Sequence, residues 1–317
     1  MTSKTATKTI GVILMTYGSA KTPEDVPAYL QSVYRGRAAP ADVIAEFQHR
    51  YRAVHGSPLV EITQKQAAAL QTFLNAGMDK ATRFHVTVGM QHSAPWIADG
   101  FKEMAAAGVT SVIGVIMSPQ YSPIIMGGYL RKVEEAKTIL GLGAKVRVAG
   151  DWHMLPSYLD AVAVRIHEAL GKLSPAERRD IPIIMTAHSL PKSVVDREPG
   201  YSAALKETAQ GIAERANLPA QQWQFSYQSA GHTAEEWLKP DVKELFPILK
   251  KQGHDSVLIV PTQFLSDHLE VLYDIDVAGG KEAKEAGVTM LRTESLNASP
   301  EFIQALADVV RRELAVP

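Results

Sequence analysis

Ile183-Ile184-Met185-Thr186-Ala187-His188-Ser189-Leu190-Pro191 carries a strand-length apolar run straight into a histidine, a serine and a chain-turning proline. Four or five such residues without alternation describe a strand buried on both faces, as in a parallel sheet. In an open α/β sheet, ligands bind beyond the carboxyl ends of the strands. His188 is therefore a stronger catalytic candidate than most of the other nine histidines. The competing reading is a loop histidine bonded to nearby backbone.

The 317 residues suffice for two domains or one large one. A hydrophobic content of 46% and a charged content of 21% are ordinary for a globular chain. A net charge of -1 creates no global field for nucleic acid or an anionic membrane. The absence of cysteine excludes disulfides, Cys-ligated zinc and a Cys-ligated iron–sulfur cluster. Residues 1–9 are polar and make no secretory signal, and Val112 to Met117 is far too short to span a membrane. A cytoplasmic protein is expected.

Working outward, strand-length runs alternate with amphipathic segments. Strands are predicted at Ile10–Thr16, Phe84–Met90, Ser111–Met117, Lys145–Ala149, Ile181–Ala187, Gln222–Tyr227, Ser256–Pro261 and Thr289–Thr293. Helices are predicted at 22–33, 40–54, 61–76, 95–107, 126–140, 156–171, 200–216, 240–252, 268–275 and 299–314. Thr22 is expected to cap the first and Ser299 the last. Strands separated by helices imply βαβ units and parallel sheets covered on both faces.

An internal echo divides the chain. Ile13-Leu14-Met15-Thr16-Tyr17-Gly18-Ser19 recurs as Ile183-Ile184-Met185-Thr186-Ala187-His188-Ser189, and Gly108–Ile113 recurs as Gly253–Leu258. The loops beyond the second pair, Ser118–Ser122 and Pro261–Ser266, also correspond. Two echoes in one order predict two similar Rossmann-like α/β halves, 8–150 and 151–317, with the last helix free to pack back on the first. A cleft between such halves would receive both Tyr17 and His188.

A second chemical stretch is Asp267-His268-Leu269-Glu270-Val271-Leu272-Tyr273-Asp274-Ile275-Asp276. On a helix, Asp267, Glu270 and Asp274 share one face. Without a lysine or arginine among them they are expected to repel one another and attract a hard or borderline cation such as hydrated Fe²⁺. An acidic first turn favoured by the helix dipole explains Asp267 and Glu270, but Asp274 and Asp276 less easily. A third stretch, 34–57, holds Arg35, Arg37, Arg50 and Arg52 against Asp42 and Glu46, followed by Ser57. Its forks suit carboxylates or phosphates, although Glu46 and Arg50 also form an ordinary i,i+4 pair. A Ser189–His188 nucleophile pair is disfavoured because consecutive side chains diverge. No GxxxxGK[ST], GxGxxG or HExxH is present, and basic runs lack interleaved aromatics, so nucleic-acid binding has little support.

With AHSLP, DHLEVLYD, the MTYGS strand end and Trp237-Leu238-Lys239-Pro240-Asp241 in order, residues 8 to 315 resemble the ferrochelatases, which insert Fe²⁺ into a porphyrin. The likeness is nearest to the coproporphyrin III ferrochelatases of monoderm bacteria, which carry a tyrosine where protoporphyrin enzymes have an apolar residue; Tyr17 stands there. The resemblance implies Fe²⁺ as substrate metal, coproporphyrin III as substrate and coproheme as product. It implies a monomer that meets upstream and downstream haem-pathway enzymes. It implies propionate contacts at Arg35, Arg50, Ser57 and Tyr129, with His188 and Glu270 handling protons and metal. Asp274 would extend the metal path, and Tyr17 would ligate the product iron from the other ring face. The polar, arginine-bearing stretch 34–57 suits four propionates better than the apolar lip of protoporphyrin enzymes. Two positions depart from the family pattern: Tyr34 replaces a second basic residue, and Ala278 replaces a glutamate. The alternatives are a protoporphyrin IX ferrochelatase, a sirohydrochlorin-type chelatase and a non-catalytic tetrapyrrole carrier.

Overall fold

The computed structural model describes residues 8–76, 82–141, 143–231 and 235–315, so the polar residues 1–7 lie outside it. Contacts divide the chain into two units. The first takes the chain up to Arg52, Gly56–Trp152 and everything from Asn297 onward; the second takes Ala53–His55 and His153–Leu296.

The first unit begins with β1 (Lys8–Thr16), α1 (Val26–Val33), α2 (Ala41–Ala53) and α3 (Leu59–Ala76). It continues with β2 (Thr82–Met90), α4 (Ile97–Ala106), β3 (Ser111–Ile116), α5 (Pro123–Lys137) and β4 (Lys145–Val148). The second unit contains α6 (Pro156–Gly171), α7 (Pro175–Asp180), β5 (Ile183–His188), α8 (Lys192–Val195), α9 (Pro199–Arg215) and β6 (Trp223–Gln228). Then come α10 (Val242–Lys251), β7 (Ser256–Pro261), a π-helix (Glu270–Gly279), α11 (Gly280–Glu285) and β8 (Thr289–Arg292). The last helix, α12 (Pro300–Ala315), packs on α3 and β3 of the first unit. Arg147 Nη1 donates to the Glu313 carbonyl at 2.7 Å, and Gln66 Nε2 to the Asn297 carbonyl at 2.7 Å, which fastens this return of the chain.

Each unit holds one four-stranded parallel sheet, ordered β2-β1-β3-β4 and β6-β5-β7-β8. The two orders are the same pattern, with the first strand inside and the second at an edge. The echoed stretches are β1 with β5 and β3 with β7. The loops after β2 and β6 also close alike: Met90 N–H donates to the Pro95 carbonyl and Tyr227 N–H to the Pro240 carbonyl, both at 2.8 Å. The fold is therefore α/β with two similar Rossmann-like units.

Burial explains why unbroken apolar runs became these strands. Val12, Ile13, Leu14 and Met15 in β1 and Ile183, Ile184 and Met185 in β5 are fully buried. Parallel sheets are covered on both faces, so no polar alternation survives. One face of the first unit packs Ile13 and Met15 against Phe101, Met104, Met126 and Val133. In the second unit, Ile184, Val257 and Ile259 meet Phe246 and Leu249 of α10 and Val271 and Ile275 of the π-helix. Full burial of each such side chain contributes roughly 1.5–3 kcal/mol.

Helix ends follow local chemistry. Asp241 accepts the Lys243 N–H at 3.1 Å while Glu244 reaches back to the Asp241 N–H at 3.2 Å, a capping box that starts α10. Ser299 accepts from the Phe302 N–H at 3.4 Å, as expected of a cap. At Thr22 the roles reverse: Asp25 Oδ2 accepts from both its N–H and its hydroxyl at 3.0 Å, and a 3₁₀ turn precedes α1. Short α7, α8 and α11 were not predicted, having too few residues to show a period. No described helix is long and apolar enough to cross a membrane.

Candidate functional site

His188 ends β5, where the sheet delivers it half-buried at the carboxyl edge. Its Nδ1 lies 2.5 Å from the Ser189 carbonyl oxygen. A carbonyl only accepts, so Nδ1 carries a hydrogen, and in the neutral ring Nε2 keeps its lone pair for a proton or a metal. Ser189 is fully buried and donates its hydroxyl to the Leu238 carbonyl at 3.1 Å, so it is no nucleophile. The AHSLP and WLKPD segments hold each other through this bond, through Leu238 N–H to the Leu190 carbonyl at 3.1 Å, and through a Pro191–Trp237 bridge.

Three residues without an assigned role in the sequence reading surround His188. Gln263 accepts the His188 backbone N–H at 2.9 Å and donates to the Tyr201 hydroxyl. Burial pushes the Tyr201 phenol well above its ordinary range, with Glu270 and Tyr227 adding to the effect. His268 accepts the Val271 N–H on Nδ1 at 3.3 Å, which puts its hydrogen on Nε2, 4.0 Å from Glu270 Oε2. Burial lowers the His268 pKa, a shift that the Glu270 carboxylate opposes and His188 adds to. Glu270 and His188 thus share neighbours in Tyr201 and His268. A histidine inside DHLE was a visible signal for His268; nothing local marked Tyr201 or Gln263.

Glu270 and Asp274 are both half-buried, on a run whose hydrogen bonds are of the i→i+5 type, rather than on the ordinary helix predicted at 268–275. Such wide turns are rare and are frequent at functional sites. The expectation of an uncompensated acidic line is corrected at Asp267, the first of its three carboxylates. Arg292, at the end of β8, binds Asp276 through Nε and Nη2 at 2.7 and 2.9 Å, and its Nη1 lies 3.6 Å from Asp267. Ser295 also donates to Asp267 at 2.7 Å. Burial works against the Arg292 charge, but Asp276, Asp267 and Glu294 together outweigh it and the guanidinium pKa is raised. Among the described residues, no three or more histidine and carboxylate side chains converge as a metal cage.

In the first unit, Tyr17 follows β1 and is 45% exposed. Its ring packs on His92 at 4.5 Å between centroids, and the His92 N–H donates to the Tyr17 carbonyl at 2.9 Å. Burial, then Lys132, lowers the His92 pKa to about 4, against a hydrogen bond that the ring donates to the Ser32 backbone. Tyr129 on α5 is buried near Tyr17, which together push its phenol pKa far up. Lys132, one turn along, donates to the Gln91 carbonyl at 2.7 Å and lies 5.2 Å above the Trp96 ring. Gly18, at φ +90°, lets the chain pass Ser93, whose Oγ would lie 2.6 Å from a Cβ there.

The remaining predicted binding residues lie on the segment after α1. Arg35 has φ 56° and is exposed, as are Arg37 and Arg52. Arg50 is bound to Glu46 at 2.9 Å, the helix pair anticipated from spacing, and packs over Phe47 at 5.7 Å. Ser57 is buried, with its Oγ lacking a hydrogen-bond partner within the protein. A cavity of about 290 Å³ lined by Thr9, Gln71, Arg83 and His85 lies at the opposite, amino end of β1 and β2.

These positions can be set beside known proteins. The ferrochelatase family matches residues 9–314. A ferrochelatase of Deinococcus radiodurans is 35% identical over 316 residues, 99% of each chain. A coproporphyrin III ferrochelatase of Geobacillus thermodenitrificans is 35% identical over 312 residues, 98% of each chain. Among solved structures, SirB from Bacillus subtilis with Fe³⁺ superposes with a TM-score of 0.58 at 14% identity, covering 96% of each chain, a likeness of fold alone. From the family match across nearly the whole length, the chain belongs to the ferrochelatases, for which Fe²⁺ is the substrate metal.

Proposed function

We propose that this chain is a coproporphyrin III ferrochelatase, inserting Fe²⁺ into coproporphyrin III to give coproheme. The observation that carries the reading is Tyr17, a hydroxyl-bearing and exposed ring at the end of β1, where protoporphyrin enzymes of the resembling family carry an apolar residue. The name borne by the Geobacillus relative supports it. Arg35, Ser57 and Tyr129 are the proposed propionate partners, with Arg50 joining when it leaves Glu46. Exposed forks such as that of Arg35 match carboxylates in pairs.

Insertion requires two pyrrole N–H protons to leave and aquated Fe²⁺ to shed its waters. In this reading the bare Nε2 of His188 takes a proton or meets the metal, and Glu270 takes the second proton or guides the cation. Asp274 extends the carboxylate path. Tyr17 offers its oxygen to the product iron.

The Glu46–Arg50 pair, which occupies one proposed contact, and Tyr34 in place of a second basic residue favour a two-propionate ring. One assay separates the readings: anaerobic Fe²⁺ with either coproporphyrin III or protoporphyrin IX, followed by absorbance. Net charge-assisted contacts to the extra propionates predict at least about a tenfold higher kcat/KM for coproporphyrin III. Equal or reversed preference overturns the substrate assignment, and binding of either ring without metallation would identify a carrier.

A further inference from the structure

Gln263 sits two residues beyond β7 with its amide between two groups of the second unit. The His188 backbone N–H can only donate, so Oε1 must face it, at 2.9 Å. Nε2 then faces Tyr201, whose hydroxyl must accept, leaving its own hydrogen directed elsewhere. The amide cannot turn over without losing the bond to His188, since its NH₂ would then face another donor.

This contact ends the sheet in an unusual way. β5 is registered on β7 only as far as Thr186 opposite Pro261, where the Thr262 N–H reaches the Thr186 carbonyl at 2.9 Å. The next carbonyl on that side, Thr262, accepts the Tyr158 hydroxyl at 2.6 Å. The His188 N–H is instead satisfied by a side chain, which itself is anchored on a buried tyrosine. On the other side of His188, the Ser189 N–H is held by the Gln228 carbonyl at 2.7 Å. On the β6 side His188 is held by the ladder that pairs it with Gln228, and on the β7 side the tether on its N–H is Gln263.

We propose that Gln263 is a positioning residue for metal insertion: it fixes the His188 backbone so that Nδ1 stays on the Ser189 carbonyl and Nε2 stays bare. The inference rests on the reading of His188 as the group that handles protons or metal. Ring orientation follows the peptide because the Nδ1 partner is the very next carbonyl. Loosening the preceding peptide lets the imidazole leave that carbonyl and adopt the other tautomer. Gln263 touches no substrate in this account and acts only through His188.

The test combines turnover with the imidazole ¹⁵N spectrum, His188 being assigned by its loss in H188N. In the unaltered protein one tautomer with an unprotonated Nε2 is expected. In Gln263→Ala, mixed tautomers and a kcat lower by about ten- to a hundredfold are expected, with KM for coproporphyrin III within about twofold. Gln263→Glu keeps an acceptor for the His188 N–H and should restore the single tautomer. Tyr201→Phe removes only the far anchor and should broaden the His188 signals in a folded protein. Unchanged His188 tautomers in both Q263A and Y201F, or a change in KM alone, overturn the assignment. Failure of the unaltered protein to metallate coproporphyrin III overturns the substrate reading instead, since the ring spectrum requires no porphyrin.

Discussion

Replacing Arg292 with methionine should cost the second unit a substantial part of its stability. The change keeps an unbranched side chain but removes the guanidinium. Two bonds to Asp276, at 2.7 and 2.9 Å, and the 3.6 Å approach to Asp267 are lost together. The Arg292 side chain is only 17% exposed, so its carboxylate partners are left partly desolvated. Removing one member of a buried pair costs about 3–5 kcal/mol. Asp276 is 35% exposed and can recover water, which reduces the expected loss to about 2–3 kcal/mol. For a domain of about 150–250 residues each kcal/mol lowers Tm by about 2–4 °C, so a fall of roughly 4–12 °C is expected. Scanning calorimetry on R292M, D276N and the double variant measures it. The cycle should show a coupling of about 1–2 kcal/mol, because residues in direct contact are not additive. Additive effects, or a Tm shift below about 2 °C for R292M, would refute the account of how Asp267 and Asp276 are neutralised.

Two further outcomes follow from the same structure. His188→Ala should abolish iron insertion while porphyrin binding, measured by absorbance titration, persists; near-normal turnover would sink the role given to His188. His92 provides a pH test. Its folded pKa near 4 lies below the ordinary histidine value of about 6.5, so the unfolded chain binds the extra proton between those values. Stability should therefore fall as pH drops from about 6.5 toward 4, by at most about 3 kcal/mol, and nearer 1 kcal/mol for a half-exposed ring. Urea titrations of His92→Phe should lose that slope, and an identical pH dependence in both proteins would contradict it.

All eight strands among the described residues were legible: the inner strands β1, β3, β5 and β7 as apolar runs of strand length, because a parallel strand covered on both faces loses its polar positions, and the edge strands β2, β4, β6 and β8 as shorter or alternating segments. The internal echo likewise anticipated the two sheets of equal order, since both repeats fall on the two strands that pair at the centre of each sheet. The π-helix was not legible. The local pattern around Glu270 reads as an ordinary helix, and the choice of wider turns depends on packing of Val271 and Ile275 against β7 and α10. His92 was also passed over, because its meaning comes from Tyr17 across the neighbouring strand.

The sequence by itself determined the alternation of strands and helices, and the delivery of Tyr17 and His188 to strand ends. Hydrophobic period and turn chemistry are local and need no knowledge of neighbours. Tertiary structure alone decided the charge and proton state of those strand ends. Arg292 reaches Asp276 from 16 residues away, and Gln263 reaches His188 from 75. Neither pairing leaves a periodic trace in the chain. Electrostatic and hydrogen-bond partners are chosen by distance in space, and parallel sheets bring together residues that are remote in sequence.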